Sequence, residues 1–306
     1  MMSIRRRSMV KAFLVCIPAL LLAVGCAGPS AFCFDVISDN RMYAPPKHVG
    51  AAYFEGVCEA IRDTGPGAFM IAIGDIDPPD GTYATVERVL GKPYTWYPVV
   101  GNHELEKPEY MNWLRAYNAG GRKLPNIVRA GPPGAVETCY SFDYAHAHFA
   151  IINQYYDGQR DDVEGGAVSD ALHQWLNDDL AATDKPIVFV VGHEPIIAMP
   201  DMNTGRIRHQ GDSLDENPKE AHRFWSLLRK HNVVAYLCGH THNTSIARIN
   251  GLWQIDSGHA RGIGDKGAPS SFVRIRVTGN HVTCDVYRSA QADKEPYRIT
   301  YSEKLR

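Results

Sequence analysis

Basic charge is not in excess in this chain. Its 306 residues carry 32 Lys and Arg against 34 Asp and Glu, a net charge of −2, which excludes a nucleic-acid binder with a broad basic face. Cysteine is scarce, seven in all, too few for a disulfide-stapled scaffold of this length. Internal repeats and low-complexity linkers are lacking. With 44% hydrophobic and 22% charged residues, wholesale disorder is excluded as well. What the chain has in plenty is histidine, thirteen in all, several in short Gly-His or Asn-His signatures.

The first residues read as an address. Arg5, Arg6, Arg7 and Lys11 precede the apolar run Ala12–Gly25, fourteen residues with Pro18 inside, too short to cross a bilayer as a helix. A basic start, a short apolar run and small residues after it predict a secretory signal over residues 1–25. Gly25-Cys26 resembles a bacterial lipobox, with Cys26 as the lipid-bearing first residue of the mature chain; the alternative is an ordinary signal cut near Ala27. Residues 26–30 then form a short tether and 31–306 a single domain. The expected location is the periplasm or cell envelope, with the membrane touched only through lipid on Cys26. Loss of residues 1–25 removes four positive charges and no acid, leaving −6. Cys33, Cys58, Cys139, Cys238 and Cys284 remain and are expected as buried free thiols, one disulfide of undetermined pairing being the alternative.

Short apolar runs alternate with helical patterns in the body. Ala31–Ser38, Phe69–Ile73, Trp96–Val100, Phe149–Asn153, Pro186–Val191 and Val233–Leu237 predict buried strands of an α/β sheet. Stripes at 3.6-residue spacing predict three helices, one through Val49, Ala52, Tyr53, Val57, Ala60 and Ile61. A second runs through Leu172, Trp175, Leu176 and Leu180 after Ser169, and a third through Ala221, Phe224, Trp225 and Leu228. Asn217, Pro218 and Glu220 supply the third with an N-cap, a first-turn proline and an N3 acid. Ser245–Ile255 and Ser271–Tyr287 read as hairpins turning at Asn250-Gly251 and Gly279-Asn280. Strands, then helices, then more strands predict two sheets with helices outside them.

The polar residues gather where these strands end. The five ends are Ser38-Asp39-Asn40-Arg41, Gly74-Asp75, Gly101-Asn102-His103-Glu104, Gly192-His193-Glu194-Pro195 and Gly239-His240-Thr241-His242. Ligands of open α/β sheets bind outside the carboxyl ends of strands, so five such ends converge on one place. A lone Gly-Asp or Gly-His is ordinary turn chemistry; five in this order are not. Asp39, Asp75, Asn102, His193, His240 and His242 offer oxygen and imidazole ligands without thiolate, a set suited to Mn²⁺, Fe or Zn²⁺ and too nitrogen-rich for Ca²⁺. Six ligands exceed the need of one four-coordinate ion; two ions about 3.5–4 Å apart would use them all.

These motifs resemble those of the calcineurin-like metallophosphoesterases over about residues 31–260. The resemblance implies a four-layer α/β/β/α sandwich with a dinuclear metal centre between the sheets. It implies that Asp75 bridges both ions, that Asp39 and His242 serve the first, and that Asn102, His193 and His240 serve the second. It implies that His103 is the catalytic, non-ligand histidine, and that a metal-bound hydroxide attacks a phosphomonoester or phosphodiester. The expected partner is a small phosphorylated substrate.

One departure stands out. The family's first motif is Asp-x-His, and Arg41 holds the place of that histidine. The purple acid phosphatases lack it too but carry a tyrosine three residues after the bridging Asp, where this chain has Pro78. Water or Asp77 could complete the first ion's shell, that ion could bind weakly, or its site could stay empty. Arg41 reads either as a structural ion pair or as a guanidinium fork on substrate phosphate. His259 and Arg261, in the segment Asp256–Gly262 after the last hairpin, read as substrate-binding residues or as a plain turn. Glu104 and Glu194 each follow a metal-site histidine and are expected to orient it. The long connections Gln154–Ser169 and Ile196–Asn217 are lid or specificity loops if not mere surface; Arg206, Arg208 and His209 in the second are expected as solvated charge or as reach toward substrate. The principal alternative to hydrolysis is a degenerate member that binds metal or a phosphorylated ligand without turnover. A metal-sequestering lipoprotein fits poorly, because scavengers use local His-rich tracts.

Overall fold

The computed structural model describes residues 31–161 and 165–306. The predicted signal, Cys26 and the tether lie outside the described residues. Strands are β1 Ala31–Ile37, β2 Met70–Ile73, β3 Trp96–Val99, β4 Ile127–Ala130, β5 Tyr140–Tyr144, β6 Ala147–Ile151, β7 Ile187–Val191, β8 Ala235–Cys238, β9 Thr244–Ile249, β10 Leu252–Ser257, β11 Ser270–Thr278, β12 His281–Ser289 and β13 Arg298–Lys304. Helices are α1 Phe54–Asp63, α2 Pro79–Leu90, α3 Pro108–Tyr117, α4 Asp170–Ala182 and α5 Pro218–Lys230.

The strands form two sheets, one ordered β13-β12-β11-β1-β2-β3 and the other β4-β5-β6-β7-β8-β10-β9. In the first, β1, β2 and β3 run parallel; in the second, β6, β7, β8 and β10 do. Apolar residues on alternate positions of β1, Phe34 and Val36, enter a core shared with Phe149, Ile151, Phe189 and Val191 of the second sheet. Phe34 meets Phe149 and Phe189 edge-on at centroid distances of 5.1 and 5.4 Å. Each such ring removed from water contributes roughly 1.5–3 kcal/mol, and together they hold the sheets face to face. The outer face of the first sheet is covered by α1, α2 and α3, with Phe54, Val57, Ile61, Val86 and Leu114 buried there. The second is covered by α4 and α5 through Leu172, Leu176, Phe224 and Leu228. The expected α/β/β/α sandwich of two sheets with outer helices is therefore the observed architecture.

The caps of α4 and α5 are as expected: Ser169 accepts from the Leu172 N–H and Asn217 from the Glu220 N–H. The first helix begins later than its stripe, at Phe54, because the chain turns at Gly50 with φ 103 and leaves Val49 exposed. α2 and α3 had no predicted counterpart; their buried residues include Thr82 and Thr85 in one and only Met111 and Leu114 in the other, too thin a stripe to stand out. Cys58, Cys139, Cys238 and Cys284 are buried, Cys33 is partly so, and all five are free thiols.

His148 on β6 ties α4 to its sheet. Its Nδ1 lies 2.8 Å from Asp143 and its Nε2 3.0 Å from Asp179, which also accepts from Ser141 at 2.7 Å. Burial alone would lower its pKa, but hydrogen bonds to the two carboxylates outweigh it and raise the ring from 6.5 to about 9. A raised folded-state pKa means that folding favours the protonated ring. The stabilisation is full below about pH 6.5 and is lost as pH climbs through about 9, amounting to up to about 3 kcal/mol. Urea unfolding across this window is expected to show falling stability that His148→Gln flattens.

Candidate metal centre

Strands β1, β2 and β3 of one sheet and β7 and β8 of the other deliver their carboxyl ends to one place. Asp39 follows β1 and is fully buried; its Oδ2 accepts from the His240 backbone N–H at 2.8 Å, while its Oδ1 has no hydrogen-bond partner. Burial, then the charge of Asp75, push its pKa well up, against the pull of Arg261. Asp75 follows β2 and accepts from the His103 N–H at 3.1 Å. Asn102, after β3, has a buried Oδ1 without a partner.

His193, after β7, donates from Nδ1 to the Ile73 carbonyl at 2.8 Å. That bond assigns its proton and turns Nε2, buried and without a partner, to within 3.5 Å of Asp75 Oδ1. His240 and His242 follow β8. Burial foremost pushes both pKa values down to about 2, so both rings are neutral and carry a lone pair. Donor atoms of Asp39, Asp75 and His193 all lie within 4.8 Å of one another.

The backbone bends to achieve this. Asp39, Asp75, His240 and His242 have φ of 54, 52, 69 and 57°, the left-handed region that costs a non-glycine residue roughly 1–2 kcal/mol. Four of the six residues expected as ligands thus sit in strained turns of the kind that cluster at functional sites. Among the expected ligands, the buried atoms Asp39 Oδ1, Asn102 Oδ1 and His193 Nε2 lack partners and would each cost about 1–3 kcal/mol if left unsatisfied. Carboxylate, amide oxygen and neutral imidazole facing inward are the donor set of a divalent transition ion, and these residues fit one.

The other half of the set is different. His242 Nδ1 donates to Asp265 at 3.0 Å, and its Nε2, 3.5 Å from Asp39 Oδ1, accepts from Arg261 Nη2 at 3.0 Å. Arg208 also presses on the ring at Nδ1. Arg41 does not fill the gap left by the missing histidine: its Nη2 binds Glu106 at 2.7 Å and its Nε lies 3.4 Å from Asp77. Asp77 Oδ1 is paired with Arg41 only by charge and is itself buried without a hydrogen-bond partner. A first ion held by Asp39 and His242 does not fit the side chains as they stand.

Several expected positions need correction. His259 is fully buried; its Nε2 bonds the Ala268 carbonyl at 3.0 Å and its Nδ1 accepts from the Arg261 N–H at 3.3 Å, so it has no face for substrate. Glu104 orients the backbone instead of a histidine, accepting from the N–H groups of Gly101, Asp75 and Ile76 at 2.6, 2.9 and 2.8 Å. Glu194 accepts from Tyr155 and Gly166. Arg206, Arg208 and His209 are not merely solvated: Arg206 binds Asn243, Asp265 and the His242 carbonyl, and His209 lies against His240 at a ring distance of 4.2 Å.

Two acids escaped the sequence reading. Glu106 receives both His103 Nδ1, at 2.5 Å, and Arg41, leaving His103 Nε2 facing Asp75 at 3.6 Å. Its position three residues after His103 was the available signal. Asp265 collects His242, Arg206 and Arg208; its carboxyl is held far below the usual range by hydrogen bonds from His242 and Arg206 that outweigh burial. Nothing in its local sequence marks it.

A family model described as calcineurin-like phosphoesterase matches residues 34–244. No curated protein matches the chain. Among solved structures the chain is similar to PhoD, with a TM-score of 0.63 and 13% identity over 90% of this chain and 70% of that one. It is similar to the purple acid phosphatase PPD1 from yellow lupin (Lupinus luteus) seeds, TM-score 0.59 and 14% identity, over 90% of this chain and 53% of that one, about half its length. GAP50, described as the anchor in the inner membrane complex of Plasmodium, gives 0.58 and 15% over 90% and 88%. At these identities the likeness is one of fold.

Glu104→Ala strips three buried N–H donors of their acceptor. In chelator-treated protein it is expected to cost about 3 kcal/mol or more, read as a lower denaturant midpoint, with Glu104→Gln costing less because one oxygen still accepts.

Proposed function

The chain belongs to the calcineurin-like phosphoesterase family, and on that premise we propose that it hydrolyses a phosphomonoester or phosphodiester at a metal centre. The observation that carries this reading is the trio of buried ligand atoms without partners, Asp39 Oδ1, Asn102 Oδ1 and His193 Nε2. Asp39, Asp75, Asn102, His193 and His240 would hold the ion, of the Mn, Fe or Zn type. When bound, such an ion polarises a phosphoryl oxygen and acidifies water.

The chain's own groups do the rest. His103 stands at the mouth with Nδ1 on Glu106 and Nε2 toward the centre. It protonates the leaving oxygen, and the Glu106 carboxylate stabilises the imidazolium form. Arg41 and Arg261 present their remaining guanidinium N–H groups to the phosphate and help to fix its orientation. The substrate is small, and the charge of −6 on residues 26–306 disfavours nucleic acid. Residues 1–25 direct export to the periplasm or cell envelope, and lipid on Cys26 provides the only membrane contact.

A second reading, binding without turnover, is favoured by the engagement of His242 Nε2 by Arg261. Assay of purified, Mn²⁺-loaded protein on p-nitrophenyl phosphate and bis(p-nitrophenyl) phosphate separates the two. Turnover of at least one is expected, with His103→Ala lowering kcat by about 10²–10⁴-fold while Mn²⁺ uptake is unchanged. A loaded protein that turns over neither substrate overturns the hydrolase reading.

A further inference from the structure

We propose that Arg261 stands in for the first metal ion, so that the centre works with one ion and one guanidinium in place of two ions. The inference rests on the hydrolase reading only for what that charge acts upon; the occupancy it predicts is independent of turnover.

The donors divide into two groups. Asp39 Oδ1, Asn102 Oδ1 and His193 Nε2 are buried and have no hydrogen-bond partner. Donor atoms of Asp39, Asp75 and His193 lie within 4.8 Å of one another, and Asp39 Oδ1 also stands 3.5 Å from His242 Nε2. On the side of His242 the imidazole donors are either missing or taken. The position of the Asp-x-His histidine is Arg41, which turns to Asp77 and Glu106. His242 has one lone pair to offer once Nδ1 is bound to Asp265, and that lone pair receives Arg261 Nη2 at 3.0 Å.

Arg261 is built into this place. Its Nε donates to the Asp39 carbonyl at 2.7 Å, and its backbone N–H is held by His259 at 3.3 Å. Its guanidinium carbon stands 5.5 Å from the centroid of the Tyr43 ring. Gly262 follows with φ 65, and a Cβ there would lie 2.2 Å from the Ala52 carbonyl oxygen, so the loop has little freedom to withdraw. Nη1 has no partner among the described residues and is available to a phosphate oxygen. A guanidinium fixed beside the buried Asp39 carboxylate, and pulling against its raised pKa, supplies positive charge where the first ion would. It needs no third ligand. Buried His259, read from the sequence as a substrate contact, acquires a role as the post that holds Arg261.

Mn²⁺ titration with element analysis and electron paramagnetic resonance tests this directly. The wild-type protein is expected to saturate at one Mn²⁺ per chain with the six-line spectrum of an isolated ion. His242→Ala is expected to keep that ion with affinity changed less than about threefold, whereas His193→Ala weakens it at least about tenfold, in line with loss of a direct ligand. Arg41→His combined with Arg261→Ala, which restores the missing ligand and frees His242, is expected to take up a second ion and show an exchange-coupled spectrum. Two coupled ions in the wild type, a tenfold loss in His242→Ala, or a double variant that folds and stops at one ion would each overturn the proposal. Two ions in a protein that hydrolyses phosphoesters would sink the role of Arg261 and keep the hydrolase reading; one ion in an inactive protein would do the reverse.

Discussion

The site depends on how closely three chain segments can approach one another behind Asp75. A Cβ on Gly74 would lie 2.5 Å from His193 Nδ1 and 2.8 Å from the Gly101 backbone, and a Cβ on Gly101 would lie 2.4 Å from the Asp75 nitrogen. No side chain fits at either position without moving backbone. Their bareness lets the ends of β2, β3 and β7 touch, and Glu104 then fastens the contact with one carboxylate on three N–H groups. Only Gly74 also uses a left-handed φ, 69°. At Gly101 the requirement is space alone, so glycines that look alike in sequence answer different constraints.

Charge sets the second condition. Asp39, Asp75 and Glu104 are buried within a few residues of one another in space, and burial together with mutual repulsion raises the pKa of Asp39 and of Glu104. Such a group of acids is stable only opposite cations. Part of the compensation comes from backbone N–H groups, part from Arg261, and the remainder matches what a bound ion provides. The neutral histidines belong to the same logic: burial that forbids protonation preserves the lone pair a metal needs.

Much of this was legible in the sequence because the strand ends are local. An apolar run, a glycine and a polar residue lie within eight positions of one another, so Asp39, Asp75, Asn102, His193, His240 and His242 could be gathered before any coordinates. The buried strands were legible for the same reason, whereas β13 was not, because most of its residues are exposed and its place comes from pairing with β12. Asp265 was invisible because its three cationic partners come from residues 206, 208 and 242. His259 misled because Gly-His after a strand is also how the ligand motifs look. Gly258, at φ 78, instead begins a turn in which the Ala268 carbonyl claims the ring. Whether a histidine faces in or out is decided by tertiary partners, and the local motif carries no record of them.

The family match ends at residue 244, yet two partners of the His242 ring lie beyond it. Asp265 and Arg261 belong to the loop between β10 and β11, and that loop is fastened to β1: Ala260 N–H donates to the Ser38 carbonyl at 2.9 Å, and Ser38 Oγ meets Ser257 Oγ at 2.8 Å. Just before it, Asp256 holds Thr241 by a 2.6 Å bond, fixing the turn between the two histidines. The last hairpins therefore do more than extend the sheets. The matched segment assembles a donor set of general use, and the segment after it decides which of those donors remain available to an ion. Replacement of a ligand at one end of the chain, by Arg41, and closure of its neighbour from the other end, by Arg261, act on the same half of the centre. A histidine at position 41 would still meet a His242 whose lone pair is taken, and removal of Arg261 alone would still leave the first ion one ligand short. Arg41 and Arg261 thus bear on one and the same site.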